Sequence, residues 1–518
     1  MWLAIYYLFS YVVFFYTMAA MVSMTYLAIQ SIRAQRRMEI NLPDDDTVRY
    51  ILKGSPITPS VSIIAPAYNE EEAIVSNVHS MMNIYYPDLE IIIVNDASTD
   101  KTMDILIDEF KLVEVPFTNT FRVPSKPIKR VLRSSDERYK RLVVVDKEHG
   151  GRKADGSNAG INICTTKYFV STDVDCIIEP MALYRMMWLV VNSHDPMIGV
   201  SATMLMSNGC KIEDGRVTEA AVPNNPFALY QQLEYMRSFL VGKMGWSPIN
   251  ALPNISGGFG FFNTDVVVKS GGYDPMSMAE DVDMLLRMVT YMRNSGRPFR
   301  LAQVPQVCCW TEGFFSMRMM WRQRVRWGRG LCEIVSNHWK LFFNAHYGPI
   351  GAFTLPYILL FEFAAPIIEF VGFFFMIWLI LIGAVNWNTA FVIYAMIYGF
   401  SVSLGFVVMA LDYSMQAVNW KSRPWAYTKL AFAAFTEPFL YHPLVTICSL
   451  WGYISYLRGG VAVWKSQRRS SGKSKKKEVK DEAAAESAPP PEAPAAGPEM
   501  PAAERPGTPV GAPYVKPD

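Results

Sequence analysis

The stretch Val61-Ser-Ile-Ile-Ala-Pro-Ala-Tyr68-Asn69-Glu70 decides the fold of this 518-residue chain. Its apolar run ends in turn residues, and a helix-like segment follows, so it predicts a strand, a loop and a helix. The same apolar pattern returns at 89–96, 141–146 and 168–173. Apolar strands that alternate with helices predict a parallel sheet covered on both faces, with ligands at the carboxyl ends of the strands. Three polar side chains stand at such ends: Asn69, Asp96 and Asp173.

Asp173 and Asp175 stand at alternate positions just past a predicted strand. Two carboxylates placed in this way can share one hard cation with a diphosphate, and oxygen ligands of this kind favour Mg²⁺ or Mn²⁺. A solvated loop usually explains a lone Asp-x-Asp. Here, however, the preceding Gly150-Gly-Arg-Lys153 supplies a cation and a backbone able to approach an anion. The sequence therefore predicts a metal and diphosphate site.

A second acidic cluster, Glu280-Asp281-Val-Asp283, begins a predicted helix. Its carboxylates can cap that helix, or one of them can act as a general base that takes a proton from a hydroxyl acceptor. Further on, Gln323, Arg326 and Trp327 share one helical face at i, i+3 and i+4. They offer an amide, a pyrophosphate clamp and a flat surface for a sugar ring, although arginines in such a stretch also bind lipid headgroups.

Apolar segments flank this central part of the chain. No charge occurs in 1–32, and a basic cluster follows at once, which predicts one spanning helix with a cytoplasmic basic flank. From 348 to 411 the only acidic or basic residues are Glu362 and Glu369, and a break at 386–388 predicts a helical hairpin. A third apolar stretch, 430–457, is interrupted by prolines, so that a spanning, a re-entrant and a surface-lying segment all stay open.

Glu362 and Glu369 lie seven residues apart around Pro366, on one face of a predicted kinked helix. Ionisable groups at membrane depth are costly and usually face protein or a wet cavity. Two interpretations stay open. The carboxylates bind sugar hydroxyls near a channel entrance, or they pair with interfacial arginines such as Arg322 or Arg329.

Composition excludes several other classes of protein. The seven cysteines form no CxxC pair and have no zinc-like spacing with the six histidines, so we interpret them as reduced and structural. A net charge of +2 gives no argument for a nucleic-acid partner. The end of the chain is a Lys/Arg/Ser run followed by an Ala/Pro/Glu tract, which predicts disorder.

Together these motifs resemble membrane-integrated glycosyltransferase family 2, which includes cellulose, hyaluronan and poly-N-acetylglucosamine synthases. The resemblance implies an α/β fold: a cytoplasmic, Rossmann-like GT-A domain inserted between N-terminal and C-terminal transmembrane helices, with amphipathic interface helices. It also implies a role for most motif residues: Asp281 as catalytic base; Asp173 and Asp175 as ligands of the metal and the UDP donor; Asp96 in holding the donor nucleoside; Gln323, Arg326 and Trp327 in binding the acceptor and the donor pyrophosphate, with Arg326 on the donor. From their positions in the sequence we add Asn69 and Lys153 to the expected donor-binding residues and Glu280 to the expected acceptor-binding residues.

The expected organisation has six parts. They are a transmembrane helix (1–32), a cytoplasmic linker (33–57), the catalytic domain (58–304), interface helices with the Gln-x-x-Arg-Trp motif (305–346), a C-terminal transmembrane region (347–457) and a disordered tail (458–518). Two departures from the resemblance weaken a cellulose assignment. Ala279 replaces the usual Thr before Glu280, and the segment 255–262 lacks the Cys of cellulose synthases.

The expected function is inverting, metal-dependent, processive synthesis of a β-linked extracellular polysaccharide from a UDP-sugar, with UDP-GlcNAc or UDP-glucose favoured. The expected cofactor is Mg²⁺ or Mn²⁺, and the expected partners are the growing glycan, the lipid bilayer and secretion proteins. The expected location is the cytoplasmic (inner) membrane, crossed more than once. Two alternatives remain: a single transfer onto a lipid carrier, and a non-catalytic membrane scaffold that binds a nucleotide-sugar.

Overall fold

The computed structural model describes residues 2–118, 121–415, 420 and 423–459, so the predicted tail beyond 459 lies outside the described residues. Twelve strands are present in this part of the chain: β1 (Val61–Ala67), β2 (Leu89–Asn95), β3 (Leu112–Val115), β4 (Ile128–Ser134), β5 (Leu142–Lys147), β6 (Tyr168–Thr172), β7 (Ile177–Ile178), β8 (Met197–Met206), β9 (Lys211–Glu213), β10 (Arg216–Glu219), β11 (Phe259–Asn263) and β12 (Arg300–Thr311).

Ten of these strands form one sheet, in the order β3-β4-β5-β2-β1-β6-β11-β8-β12-β7, and β9 pairs with β10 in a separate ribbon. The central strands β5, β2, β1 and β6 are parallel, as predicted. The prediction of a parallel sheet is wrong for β3, β4, β7 and β11, which pair antiparallel with their neighbours. β3 and β4 each contain exposed as well as buried residues, because this edge of the sheet meets water, which antiparallel strands tolerate.

The helices are α1 (Trp2–Asn41), α2 (Asp45–Gly54), α3 (Ile74–Met82), α4 (Thr102–Phe110), α5 (Lys153–Ile163), α6 (Ala182–Val191), α7 (Pro226–Met236), α8 (Met244–Trp246), α9 (Thr264–Lys269), α10 (Glu280–Asn294), α11 (Met317–Asn337), α12 (Leu355–Tyr357), α13 (Ala364–Leu381), α14 (Trp387–Ser414), α15 (Arg423–Leu440) and α16 (His442–Leu457). Three π-helical segments join some of them: Arg237–Lys243, Ile350–Thr354 and Ile358–Phe363.

Helices cover both faces of the sheet. Successive strand residues point to opposite faces, so Ile63 and Ile91 enter one core while Ile64 and Ile92 enter the other. Helices α3, α4 and α6 pack on the first face, and α5 and α10 pack on the second. The predicted α/β class is therefore confirmed, and the carboxyl ends of the parallel strands meet at one edge.

Three helical stretches of the described residues are long and apolar enough to cross a membrane: Ser10–Asn41, Ile350–Leu381 and Trp387–Ser414. They identify a membrane protein with one such stretch before the sheet domain and two after it. The third apolar stretch of the sequence divides into α15 and α16, which meet at Tyr441. Neither is among the three candidate spans.

Two predicted boundaries differ from the observed elements. Helix α1 has 40 residues and continues well into the predicted linker, where Gln35 Nε2 donates to the Leu240 carbonyl at 2.9 Å. At 1.5 Å per residue α1 is about 60 Å long, which is twice the thickness of the hydrocarbon core of a membrane. The helix therefore extends beyond a bilayer, and its last part packs on the sheet domain through the Gln35 contact. Strand β12 runs past the predicted boundary at 304 because it pairs with β8 as far as Thr311.

The two acidic residues of the predicted membrane hairpin have different surroundings. Glu369 receives hydrogen bonds from His442 at 3.0 Å and Thr446 at 2.7 Å, both on α16. Its partner is thus a histidine of a neighbouring helix and neither of the suggested arginines. Glu362 lies one helical segment earlier, where Tyr453 reaches its backbone carbonyl at 3.4 Å.

Candidate active site

Asp96 follows β2 and is 6% exposed. One carboxylate oxygen accepts from Lys147 Nζ at 2.6 Å and from the Gly150 amide at 2.8 Å. The other lies 3.1 Å from His149 Nδ1 and 3.3 Å from the Gly151 amide. Asp96 therefore fixes the glycine loop that leads into α5. This use of the carboxylate was not visible in the sequence, because the four donors come from a segment about 50 residues later.

Asn69 follows β1 with a positive φ of 57°, which an asparagine tolerates better than most residues. The side-chain oxygen of Asn69 accepts a hydrogen bond from the backbone N–H of Thr99 at 2.8 Å. The backbone N–H of Asn69 donates to Ser98 Oγ at 3.0 Å. Asn69 therefore ties together the loops that follow β1 and β2. Both loops lie at the carboxyl edge of the sheet, where the sequence predicts that the nucleotide-sugar donor binds.

Lys153 begins α5 and is the cation that links the two acidic motifs. Its ammonium group lies 2.6 Å from Asp173 Oδ1 and donates to the Gly257 carbonyl at 2.6 Å. Burial by itself lowers the pKa of Lys153, but the Asp173 carboxylate outweighs it and raises that pKa above its ordinary value. Lys153 is thus held as a cation beside the predicted metal site.

The predicted metal ligands Asp173 and Asp175 lie together after β6. With Cys176 they can bring one ligand atom each to within 4.8 Å of one another. The two carboxylates fit Mg²⁺ or Mn²⁺, which prefer oxygen ligands. Cys176 was absent from the predicted site, and its buried thiol donates to the Gly258 carbonyl at 3.6 Å. An added Cβ at Gly258 would lie 2.8 Å from Met204 Cε, so the end of that methionine side chain would have to shift.

Asp281 lies in the first turn of α10. Its Oδ2 accepts from the Gly257 amide at 3.0 Å, and its Oδ1 accepts from the Val282 amide at 2.9 Å. Gly257 therefore holds Asp281 with its N–H and Lys153 with its carbonyl. This glycine joins the predicted base to the predicted metal ligands through two hydrogen bonds and one ion pair.

Three titratable groups interact electrostatically with Asp281: the partly exposed Glu280 and the buried Tyr273 and Lys243. Burial and the neighbouring Asp281 carboxylate both raise the pKa of Glu280, while Arg326 opposes them. Burial likewise raises the pKa of Tyr273, and Asp281 adds to that effect. Burial lowers the pKa of Lys243 to about 8, although the negative charge of Asp281 acts to raise it. Sequence reasoning missed Tyr273 and Lys243, since neither belongs to a recognisable motif and lysine is rarely buried.

Of the predicted acceptor residues, Gln323 and Trp327 lie on α11, whereas Glu280 is the first residue of α10. Helix α11 comes close to the start of α10, because an added Cβ on Gly330 would be 3.0 Å from that of Ala279. Trp327 is 39% exposed. Within the part of the chain that the structure describes, the side-chain oxygen of Gln323 is buried and has no hydrogen-bond partner. The positive charge of Arg326 lowers the pKa of Glu280, so this part of the Gln-x-x-Arg-Trp motif lies close to Glu280 and Asp281.

Asp283 and Arg324 have structural contacts that the motifs did not reveal. Asp283 accepts from His338 Nε2 at 2.8 Å and Arg287 Nη2 at 2.7 Å. Burial alone raises the pKa of Asp283, but these bonds hold it below its ordinary value. Arg324 is 4% exposed and donates to Glu234 at 2.7 Å. Both residues fix α11 against the rest of the protein.

Two family models match the chain: "Glycosyl transferase family 2" at residues 62–123 and "Glycosyl transferase family group 2" at residues 225–402. The chain contains glycosyltransferase family 2 domains. The resemblance predicted from the motifs is thereby confirmed, as is the enzyme class. The first match begins within β1 and includes Asn69 and Asp96, and the second contains Asp281 and the Gln-x-x-Arg-Trp motif.

This glycosyltransferase is similar to the probable glycosyltransferase YdaM of Bacillus subtilis, with 26% identity over 357 residues that cover 68% of this chain and 70% of YdaM. It is also similar to the poly-beta-1,6-N-acetyl-D-glucosamine synthase of Staphylococcus aureus strain COL, with 25% identity over 295 residues. That match covers 56% of this chain and 60% of the synthase. The chain thus spans less than two thirds of the synthase's length in this match.

Solved structures with a related fold include the Pyrobaculum calidifontis mannosyltransferase PcManGT in complex with GDP-Man and Mn²⁺ (16% identity, TM-score 0.43, 83% of this chain and 99% of that one). Another is S. aureus TarS 1–349 in complex with UDP (14% identity, TM-score 0.34, 80% of this chain and 95% of that one). The roles of individual residues in the present protein stay predictions.

Proposed function

We propose that this glycosyltransferase builds a β-linked polysaccharide by processive, inverting transfer from a UDP-sugar. The observation that carries the proposal is the placement of Gly257 between Lys153 and Asp281. A donor whose diphosphate lies at Lys153 and Asp173 would present its sugar toward Asp281. A single displacement in this arrangement inverts the anomeric carbon and needs no protein nucleophile.

Asp281 is the proposed base that accepts the proton of the acceptor hydroxyl. Its two hydrogen bonds come from backbone amides, so they fix the carboxylate without neutralising it. A bound Mg²⁺ or Mn²⁺ at Asp173 and Asp175 would supply positive charge to the leaving diphosphate. Lys153 adds a fixed cation on the same side, and Arg326 is the proposed clamp on the pyrophosphate.

The acceptor proposal is supported by α11. The indole of Trp327 offers a flat apolar face to a sugar ring, and the unpartnered oxygen of Gln323 can accept from a sugar hydroxyl or an N-acetyl N–H. The similarity to the S. aureus poly-beta-1,6-N-acetyl-D-glucosamine synthase favours UDP-GlcNAc as donor, with UDP-glucose as the second choice.

We place the enzyme in the cytoplasmic (inner) membrane, with the sheet domain in the cytoplasm where nucleotide-sugars are made. The three apolar helical stretches would hold it there and guide the growing glycan outward. Secretion proteins would receive the polymer. Supporting this orientation, Arg33, Arg36 and Arg37 lie in the last part of the first stretch, directly after the uncharged residues 1–32, as expected of a cytoplasmic flank.

The purified enzyme should release UDP from UDP-GlcNAc in the presence of Mg²⁺ or Mn²⁺ and yield chains of many sugars. Donor preference is read from UDP release with UDP-GlcNAc, UDP-glucose, UDP-galactose and UDP-glucuronate. Product length separates the two enzymatic alternatives, because a lipid-carrier enzyme adds one sugar. No turnover with any of the four donors would contradict the proposal.

A further inference from the structure

A cavity lies far from the proposed active site. It has a volume of about 300 Å³ and is formed by α2, the segment before β2, the residue before β5, and parts of α6 and β10. Because β2 and β5 are parallel, these segments lie at the amino ends of strands whose carboxyl ends carry Asp96 and Lys147. Seven strand residues separate the two edges by about 20 Å.

The charge of this cavity is strongly one-sided. Its lining has four cations and, among the described residues that form it, no Asp or Glu: Arg49, Lys53, Arg141 and Arg216. None of the four takes part in an ion pair with another described residue. Elsewhere in the sheet domain arginines such as Arg133 and Arg185 pair directly with carboxylates. Converging cations without a counter-ion indicate a site for an anion.

Tyr85 organises two of these cations. The guanidinium carbons of Arg49 and Arg216 lie 4.6 and 5.2 Å from the centre of its ring. Arg216 also donates to the Tyr85 hydroxyl at 3.0 Å and to the Asn83 carbonyl at 3.2 Å, so its position is fixed. Its Nε is buried and has no hydrogen-bond partner among the described residues. Pre-positioned guanidinium groups fit a planar or tetrahedral oxyanion.

We propose that this cavity binds a phosphate-bearing anion at a site separate from the donor site. Phosphate is favoured over a single carboxylate because four cations would be left mostly uncompensated by one negative charge. The chemistry is shared by soluble pyrophosphate compounds and by phospholipid headgroups, and the volume admits either a diphosphate or a headgroup.

The test is calorimetric titration of the full-length enzyme in detergent with inorganic pyrophosphate, in EDTA so that metal-dependent binding at the donor site is suppressed. The wild type should bind one equivalent. The double variant Arg49→Gln/Arg141→Gln should bind at least about tenfold more weakly, because two phosphate contacts are lost. Arg141→Lys should retain most of the affinity. Arg297→Gln, an exposed arginine outside the cavity, is the charge-matched control.

Asp175→Asn, which changes the proposed donor site, should leave this binding unchanged and thus separates the two sites. Dihexanoyl phosphatidic acid is titrated in the same way. Binding of either probe with the stated sensitivity to Arg49 and Arg141 supports the proposal and identifies the source of the phosphate. Equal affinity in the double variant, or no binding of either probe at about 1 mM, overturns it. Unfolding temperatures exclude misfolding of the double variant.

Discussion

Asp281→Asn separates the chemistry of the site from its structure. The wild-type carboxylate accepts from the Gly257 and Val282 amides. Asparagine has one oxygen, so one of these two bonds is lost, at a cost of about 1 kcal/mol in stability. The amide cannot take a proton from the acceptor, however, and transfer should therefore fall by about two to four orders of magnitude. We expect UDP affinity to stay within about threefold of the wild type, a change below ~1 kcal/mol.

Asp283→Asn is the matched control, two residues along the same helix. Asp283 receives hydrogen bonds from His338 and Arg287, so its loss should lower the free energy of unfolding by about 2 kcal/mol while the rate per folded molecule stays near wild type. The pKa of Asp283 lies below its ordinary value. Its contribution to stability is therefore present above about pH 4 and is lost as the pH falls through the folded-state pKa.

Three measurements on each detergent-purified variant decide the matter: the rate of UDP release, the affinity for UDP and the unfolding temperature. The expected pattern differs between the two variants. Asp281→Asn loses most of the rate and only about 1 kcal/mol of stability. Asp283→Asn keeps the rate per folded molecule and loses about twice as much stability. If Asp281→Asn keeps more than about a tenth of the wild-type rate, less than the smallest expected effect of a general base, the assignment of the base is wrong.

Three further changes probe the other parts of the site. EDTA should abolish UDP release, Mg²⁺ or Mn²⁺ should restore it, and Asp175→Ala should raise the metal concentration for half-maximal rate by about tenfold or more, since one ligand is gone; full activity in EDTA would refute the metal role. Trp327→Ala should shorten the polymer, measured by gel filtration, while UDP affinity changes little, and an equal loss of UDP affinity would indicate misfolding. Lys243→Met should remove a titration near pH 8 from the pH–rate profile, because burial lowers the pKa of Lys243 to about 8 and its ammonium group therefore loses its charge in this range; an unchanged profile would exclude a role for this charge.

The sequence predicted the parts of the fold that depend on local patterns. Apolar β-branched runs such as Val61–Ala67 formed strands, and the uncharged stretches formed long helices. The antiparallel β11 was not predictable, because it is inserted between β6 and β8 only after the chain has crossed α7 and the π-helical segment. Strand order depends on contacts between residues distant in sequence.

The same distinction holds for the candidate site. The sequence identified the residue types that carry charge, but not which partners they would have in the fold. Asp96 illustrates the difference: its position at a strand end was predicted, whereas its bonds to Lys147 and the Gly150 amide depend on how a later loop folds back. Lys243 differs from Asp96, because nothing in the sequence marked its position. Its unusual environment comes from burial in the fold, which leaves no motif in the sequence.

Arg324 and Arg326 show why a motif cannot be read one residue at a time. Successive residues of an α-helix are rotated by 100°, so two residues correspond to a rotation of about 200°. Arg324 and Arg326 therefore point to nearly opposite sides of α11 and cannot serve the same site. Arg324 is buried against Glu234 and Tyr441, with its guanidinium carbon 4.4 Å from the centre of the Trp327 ring. The orientation of the indole therefore depends on an arginine that faces away from Glu280. A substitution of Arg324 would disturb the proposed acceptor platform without removing any group that contacts the acceptor.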